Sequence, residues 1–556
     1  ASDVYKRQGR PRYTSAIRYA ARALRIGALT TVLVALPYKA FDLDRYFVPK
    51  ELALVVTAGV AAIAALVDAR RLKLTRVDIF LAGYLALSAM SAVLATNGWQ
   101  AERALAVTAA GIALFWSARS MARAGFARSV IAGLALAALA VAVTSLLQAY
   151  GLRMDVFSLN RAPGGTLGNR NFVAHAAAIG LPAVVLSALC ARERRAVAGW
   201  MAGSAVVAAA LVLSRSRDAW LAIGIGAIAV AHALWRTRSR WYTSELGARA
   251  IGVGAALTIG GIAAVVLPNS LNWRSRSPYL DSVVGMVDYH EGSGHGRVVQ
   301  YLKTLRLAFS HPLFGVGPGN WPVVYPHVVG ANDLSLDRDD GMTANPWPSS
   351  DWAAVLSERG FIAFACLACA FVGLAVEASR AAGSARGAAP DKASPLPALA
   401  LRATVTIVAV AGAFDAVLLL PAPSLLAWAL MGALDGMLER GPIARINVPM
   451  IRPARWLLMA SVAACAGVAA SRSAARASAM ELASSDDRAR TLEHAGRVDP
   501  GSYRIHIRAA ELYVRRRDCA AARPHLQRAH ALFPYAPEPY RLLGACGLTT
   551  PHASSH

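Results

Sequence analysis

Two arginines stand two residues apart in VLSRSRDAW, residues 212–220, between two apolar runs. A guanidinium beside a bilayer is costly unless it reaches water or a counter-charge. Arg215 and Arg217 are joined by Arg153, Arg161 and Arg170 in YGLRMDVFSLNRAPGGTLGNRNF, residues 150–172. Gathered together, such side chains would bind an anionic ligand, because their planar forks grip phosphate in bidentate fashion and never deprotonate. The plainer reading is snorkelling at helix ends, or an ion pair with Asp218. Carboxylates and imidazoles supply the other candidates. Asp351, in TANPWPSSDWAAVLSERGFIAF, reads either as part of the N-cap region Ser349–Asp351 or as a general base. Asp415 lies within an apolar run, AGAFDAVLLLP, which marks a functional candidate or a buried partner for an arginine or hydroxyl. His290, His295, His311 and His327 share one long link, and their spacing matches no metal motif.

These residues must be positioned by membrane helices. Of the 556 residues 56% are hydrophobic and only 16% charged, with mean hydropathy +0.41. A soluble chain carries about 25% charge. Apolar runs recur at 22–40, 51–67, 77–95, 101–118, 129–149, 171–191, 197–213, 218–235, 250–268, 352–376, 399–420, 424–438 and 456–471. That pattern predicts an all-α, polytopic helical membrane protein with about twelve to thirteen spans. The first run is interrupted by Pro37 and Lys39, and the two around Pro421 and Pro423 form either a hairpin or one broken helix. Alanine, glycine and leucine dominate the runs, which suits close packing in lipid. Residues 1–21 are expected to be a disordered N-terminal segment, and ASDVYKRQGR has no apolar core of a signal peptide.

Charge decides the sides. Alternate links carry Arg70, Arg71, Lys73 and Arg76; Arg119, Arg123 and Arg128; Arg192, Arg194 and Arg195; Arg238, Arg240 and Arg249. Arg380, Arg386 and Lys392 follow, then Arg440, Arg445 and Arg452, while TNGWQAE and PAPS hold almost no positive charge. The positive-inside rule puts the rich set and the N-terminus in the cytoplasm, and after thirteen spans the tail outside. Arg215, Arg217 and the arginines of 150–172 then fall on the outer side, against the bias. The net charge of +25 is scattered through the links and not gathered on one face, which argues against nucleic acid.

The long outer link, 269–350, is too long to be a mere connector and is expected to fold over the bundle, within a transmembrane region of 22–471. Val298–Phe309 reads as an amphipathic helix, with Val299, Leu302, Leu305, Leu307 and Ala308 apolar and Lys303 and Arg306 polar. GVGPGN, residues 315–320, lacks the preceding strand and GK[ST] ending of a nucleotide loop and reads as a tight turn. Cys366 and Cys369 lie in an apolar run and read as core. Cys519 and Cys546 can pair if the tail faces an oxidising compartment. That tail, 480–548, shows paired helical segments, with Pro500 and Pro534 separated by the 34-residue tetratricopeptide period. A small helical-hairpin domain that contacts a protein partner is the expectation.

Together, GTLGNRNFVAHAAAIGLPA, LSRSRDAWLA, GRVVQYLKTLRLAFSHPLFGVGPGNW and SDWAAVLSERGFIAF resemble the O-antigen ligase and polymerase superfamily of bacterial membrane glycosyltransferases, over roughly residues 100–440. Some members that look like this also carry a tetratricopeptide-like tail. The resemblance implies glycan transfer at the periplasmic face of the inner membrane. The donor would be a glycan on undecaprenyl diphosphate; the acceptor a lipid A core, a glycan or a protein; no metal or other cofactor is implied. The family's diphosphate-holding arginines map onto Arg170, Arg215, Arg217 and Arg297. One departure stands out: where members carry a histidine–asparagine pair before Glu358 and Gly360, this chain has Ser349 and Ser350. That leaves Asp351 or His327 as the substitute base, or a divergent branch with another acceptor, or an inactive protein.

Two other classes compete. A polar-lipid transporter or flippase predicts inverted repeats and broken helices, and only the Pro421 region looks broken. A membrane scaffold that recruits partners through its tail leaves the outer arginines without a purpose.

Overall fold

A computed structural model of the chain describes residues 15–547, apart from 68, 238–243, 274, 276, 286–291, 330–332, 334, 337–341, 344, 385–393, 439–445 and 487. His290, Arg238, Arg240, Arg386, Lys392, Arg440 and Arg445 lie outside the described residues. The chain is an all-α polytopic membrane protein. Thirteen helices stand where the thirteen apolar runs are: α1 Ser15–Leu33, α2 Asp44–Val67, α3 Arg76–Val93, α4 Gly98–Met121, α5 Ala127–Ala149, α6 Arg170–Cys190 and α7 Arg194–Ser214. Then come α8 Arg217–Thr237, α9 Ser244–Val266, and, within the long link, α10 Pro278–Val284, α11 Gly292–Ser310 and α12 Trp321–Val328. The bundle closes with α13 Asp351–Ser384, α14 Leu396–Phe414, α15 Pro421–Met437 and α16 Arg452–Ser485. Four tail helices follow: α17 Ala489–Val498, α18 Tyr503–Arg515, α19 Cys519–Leu532 and α20 Pro537–Ala545.

Among the described residues ten segments are long and apolar enough to cross a membrane, with α4 and α5 joined as one run, Gly98–Ala149. Helices satisfy their own backbone hydrogen bonds, which lipid cannot do for them. Tight packing follows from small side chains. A methyl group at Gly432 of α15 would come within 2.1 Å of the Phe115 carbonyl oxygen on α4, so these two backbones approach only because glycine sits there.

Several boundaries differ from expectation. α1 begins at Ser15, so residues 15–21 are helix and Ile17, Ala20 and Ala21 are buried in the bundle. It ends at Leu33, before Pro37. The Pro421 region resolves into two helices: α14 stops at Phe414, and Pro421 starts α15 in the first turn, where its missing N–H costs nothing. α16 runs 34 residues, straight through the expected end of the bundle at 471 and into the tail. At one end of the bundle β1, Arg71–Leu74, pairs antiparallel with β2, Ile446–Pro449. Arg119 sits there between Asp78 and Asp435.

The tail packs on the rest of the chain. Phe41 and Val48 join Met480, Leu492 and Ile505 in one core. Leu532, Phe533 and Ala536 share another with Leu307, Trp321 and Tyr325 of the long link. Asn97 bridges both, donating from Nδ2 to the Leu532 carbonyl and from its backbone N–H to Asn320 Oδ1. The Cys519 and Cys546 sulfurs are joined in a disulfide.

Candidate functional site at the arginine-lined mouth

The N-terminal ends of α6, α8 and α13 meet the C-terminal end of α14 at one end of the bundle, and α11 packs on α13. Three helix N-termini present partial positive charge there. The reversal from α7 to α8 takes two residues, and Arg215 makes it in a left-handed conformation at φ 54°, where glycine is the usual occupant. Arg215 Nε donates to Ser282 Oγ at 2.9 Å, and its guanidinium lies 4.8 Å from the centre of the Trp273 ring. Arg217 Nη1 donates to the Gly285 carbonyl at 2.6 Å.

Arg170, at the start of α6, lies within electrostatic reach of both Arg215 and Arg217. Arg297, on α11, lies within reach of Asp218 and Asp415. All four arginines are half-buried. Arg215, on the turn outside the spans, is held below its ordinary pKa by burial and by Arg217, with Asp281 opposing. Like charges held this close repel one another, and an anion between them relieves that cost. The sequence reading of Asp218 as their ion-pair partner is corrected. Both arginines donate to the long link, and Asp218 is engaged from elsewhere.

Its partners form a buried cluster that the sequence reading did not assemble. His175 Nε2 lies 2.6 Å from Asp218 Oδ2, and both side chains are buried. The Ser216 hydroxyl donates to the other Asp218 oxygen. A ring nitrogen of His175 and one oxygen each from Asp218 and Asp415 lie within 4.8 Å of one another. Asp415 follows α14 in extended conformation, and its Oδ1 accepts the Ala416 N–H at 2.8 Å. In composition this is a partial donor set for a divalent cation. Ser216, however, already donates to Asp218, and Arg297 lies within electrostatic reach of both carboxylates. The one signal for His175 was an imidazole in an apolar run, five residues after Arg170.

Asp351 and His327 do not face the arginines as free bases. Ser350 supplies the N-cap, its Oγ accepting the Ala353 N–H at 3.3 Å. Asp351 is fully buried, with its carboxylate accepting the Val417 N–H at 3.0 Å and the Leu418 N–H at 2.9 Å. It staples α13 to the turn between α14 and α15, so both oxygens serve the backbone. His327 is exposed at the end of α12 and stacks on Tyr535 of the tail, ring centres 4.4 Å apart. Ser349 is also tied down, its N–H donating to Gln300 Oε1 at 2.8 Å and its carbonyl accepting from the Tyr301 hydroxyl at 2.6 Å. Gln300 and Tyr301 belong to α11, which thereby straps the mouth.

The glycine turn has a mechanical purpose. α13 breaks at Gly360, φ 82° and ψ 173°. Into that break the 312–317 segment docks: Val316 N–H to the Ser357 carbonyl at 3.0 Å, Gly317 N–H to the Glu358 carbonyl at 2.9 Å, and Phe361 N–H to the Pro312 carbonyl at 2.9 Å. Glu358 Oε1 then accepts the Trp321 N–H at 3.3 Å. On α11 the inward face differs from the expected apolar one. Gln300, Thr304, Leu307 and Ala308 are buried, whereas Leu302 and Phe309 are exposed, at 58% and 68%.

Fold and mouth together define a multi-pass α-helical membrane protein that gathers cations and buried acids at one end of its bundle. Residues 202–368 match the family model described as O-Antigen ligase. That segment carries Arg215, Arg217, Asp218, Arg297 and Asp351, and the match supports the O-antigen ligase superfamily. The match supports an enzyme of glycan transfer in polysaccharide biosynthesis. No curated protein matches the chain.

Proposed function

We propose that the chain transfers a glycan from undecaprenyl diphosphate to an acceptor (a lipid A core, another glycan or a protein) at the periplasmic face of the bacterial inner membrane. The acceptor hydroxyl attacks the anomeric carbon, the bond from that carbon to the diphosphate oxygen breaks, and the lipid diphosphate leaves with the electron pair. Arg170, Arg215, Arg217 and Arg297 hold the departing charge, where preorganised donors are worth most. The observation that carries this reading is that three of these arginines, from two separate helix starts, lie within reach of one another, against the charge bias of the links.

The arginine-rich links at the opposite end of the spans support a periplasmic mouth. So does the Cys519–Cys546 disulfide in the tail. The tail, whose helix pairs are of tetratricopeptide type in this reading, braces the long link and offers its remaining faces to a protein partner. The test is surface glycan in cells that depend on this chain. Arg217→Ala or Arg297→Ala should abolish glycan attachment while the protein stays at wild-type level in the membrane. Attachment that persists in both variants contradicts the proposal.

A further inference from the structure

Glycan transfer sheds a proton from the acceptor hydroxyl, and the positions where relatives carry their histidine–asparagine pair hold Ser349 and Ser350 here. The Ser349 backbone is tied to Gln300 and Tyr301, the Ser350 hydroxyl caps α13, and a neutral hydroxyl is a poor proton acceptor. Asp351 serves the backbone and His327 stacks on the tail. Among the described residues beside the arginines, the buried acids and imidazole that remain are Asp218, Asp415 and His175, whereas Asp281 near Arg215 is exposed on the long link. Resting on the transfer reaction proposed above, we infer that Asp415 takes the acceptor's proton, positioned by the His175–Asp218 pair and Arg297.

Three observations argue for this division of labour. Exposure comes first. His175 is sealed at 0%, Asp218 is 5% exposed and Asp415 8%, so Asp415 is the most exposed of the three. The second is commitment. Asp218 is already engaged by His175 Nε2 and by the Ser216 hydroxyl, whereas Asp415 accepts the Ala416 N–H through Oδ1 and no other hydrogen bond among the described residues, which leaves its second oxygen to take a proton. The third is orientation. The Asp218 carboxylate on His175 Nε2 fixes a proton on that nitrogen, and Nδ1 has no hydrogen-bond partner among the described residues. The buried pair is therefore held in one orientation behind Asp415.

The step balances without a co-reactant. The acceptor O–H proton passes to the Asp415 carboxylate, and the acceptor oxygen forms its bond to the anomeric carbon. The bond from that carbon to the diphosphate oxygen breaks, and its electron pair leaves on the lipid diphosphate. Asp415 returns the proton to water at the mouth.

The experiment uses the full chain in lipid nanodiscs, with undecaprenyl diphosphate as the binding probe. Turnover is read as release of undecaprenyl diphosphate from a labelled lipid-linked glycan, with envelope membranes of the producing cell as acceptor. Asp415→Asn should lower turnover by about a hundredfold or more, the usual share of a general base, with probe binding unchanged. Asp415→Glu should recover part of the rate. His175→Asn should lower turnover by about tenfold at unchanged binding, as expected of a residue that positions the base. EDTA should leave the wild-type rate intact. An Asp415→Asn variant that turns over at the wild-type rate overturns the inference, as does one that loses probe binding together with turnover. EDTA-sensitive turnover overturns it in favour of a cation on His175, Asp218 and Asp415. Wild-type protein that neither binds the probe nor releases it defeats the transfer reaction itself.

Discussion

Arg217 and Arg297 reach the mouth from two sides, one from the start of α8 and the other from a helix of the long link. Their value lies in shape as well as charge. Lysine keeps the charge but loses the planar fork that meets two phosphate oxygens at once. Arg297→Lys should therefore weaken undecaprenyl diphosphate binding by about tenfold or more, the worth of a charge-assisted hydrogen bond. Equal affinity in a titration of the nanodisc-embedded variant would mean that Arg297 acts only as a diffuse charge. Part of this was legible in the residues. Arg170, Arg215 and Arg217 stood out as exceptions to the charge bias, and Asp415 as a carboxylate in an apolar run. His175 did not, because a lone imidazole among alanines looks like any satisfied histidine. Its meaning comes from Asp218, 43 positions away and on another helix. Asp351 stayed ambiguous between cap and base because acids near a helix start often cap it, whereas here Ser350 caps and Asp351 reaches across to the turn between α14 and α15.

The helices themselves were the most readable elements, since apolar runs of membrane length leave the backbone few alternatives. Breaks within them were not. Gly360 sits in a run where glycine is ordinary, yet it adopts φ 82° and ψ 173°, a region open essentially to glycine alone. A methyl group there would also lie 2.2 Å from the Leu313 carbonyl oxygen. Gly360→Ala should cost about 1–3 kcal/mol in backbone strain alone. We expect it to release the 312–317 segment and expose the long link to protease. Unchanged cleavage kinetics would show that the break tolerates a side chain.

The tail carries an acid-sensitive joint. His506 Nδ1 and His525 Nδ1 lie 3.1 Å apart between α18 and α19, with Glu493 of α17 and Arg528 of α19 nearby. Burial, and then the neighbouring His525, push His506 down to about 4. Burial likewise lowers His525, with Glu493 opposing. Between pH 4 and the ordinary histidine value near 6.5 the unfolded tail binds more protons than the folded one. Stability therefore rises with pH across that window and is complete above it. Limited proteolysis should find tail helices opening as pH falls from 7 to 4.5, and His506→Gln should flatten the trend. Equal protection at both pH values would contradict the assignment.

At the scale of the whole molecule, bundle, link and tail act as one brace around the mouth. The link docks into α13 through its glycine turn, straps the site through Tyr301 and Gln300, and shares a core with Leu532 and Phe533. Sequence patterning anticipated a folded link and a helical tail, but not their common core. Tertiary contact between distant segments leaves no periodicity to read. The proposed function requires the tail and the arginines to share the periplasm. An impermeant thiol reagent applied to intact, reduced spheroplasts should label Cys519 and Cys546, and protection of both would invert the topology.

The most direct test of the central claim is equilibrium binding of undecaprenyl diphosphate to the full chain in nanodiscs, wild type against the double variant Arg217→Ala, Arg297→Ala. The account predicts binding by the wild type that weakens as salt is raised. The double variant should lose about a hundredfold or more in affinity, for two charge-assisted contacts. Equal affinity in the two proteins would contradict it.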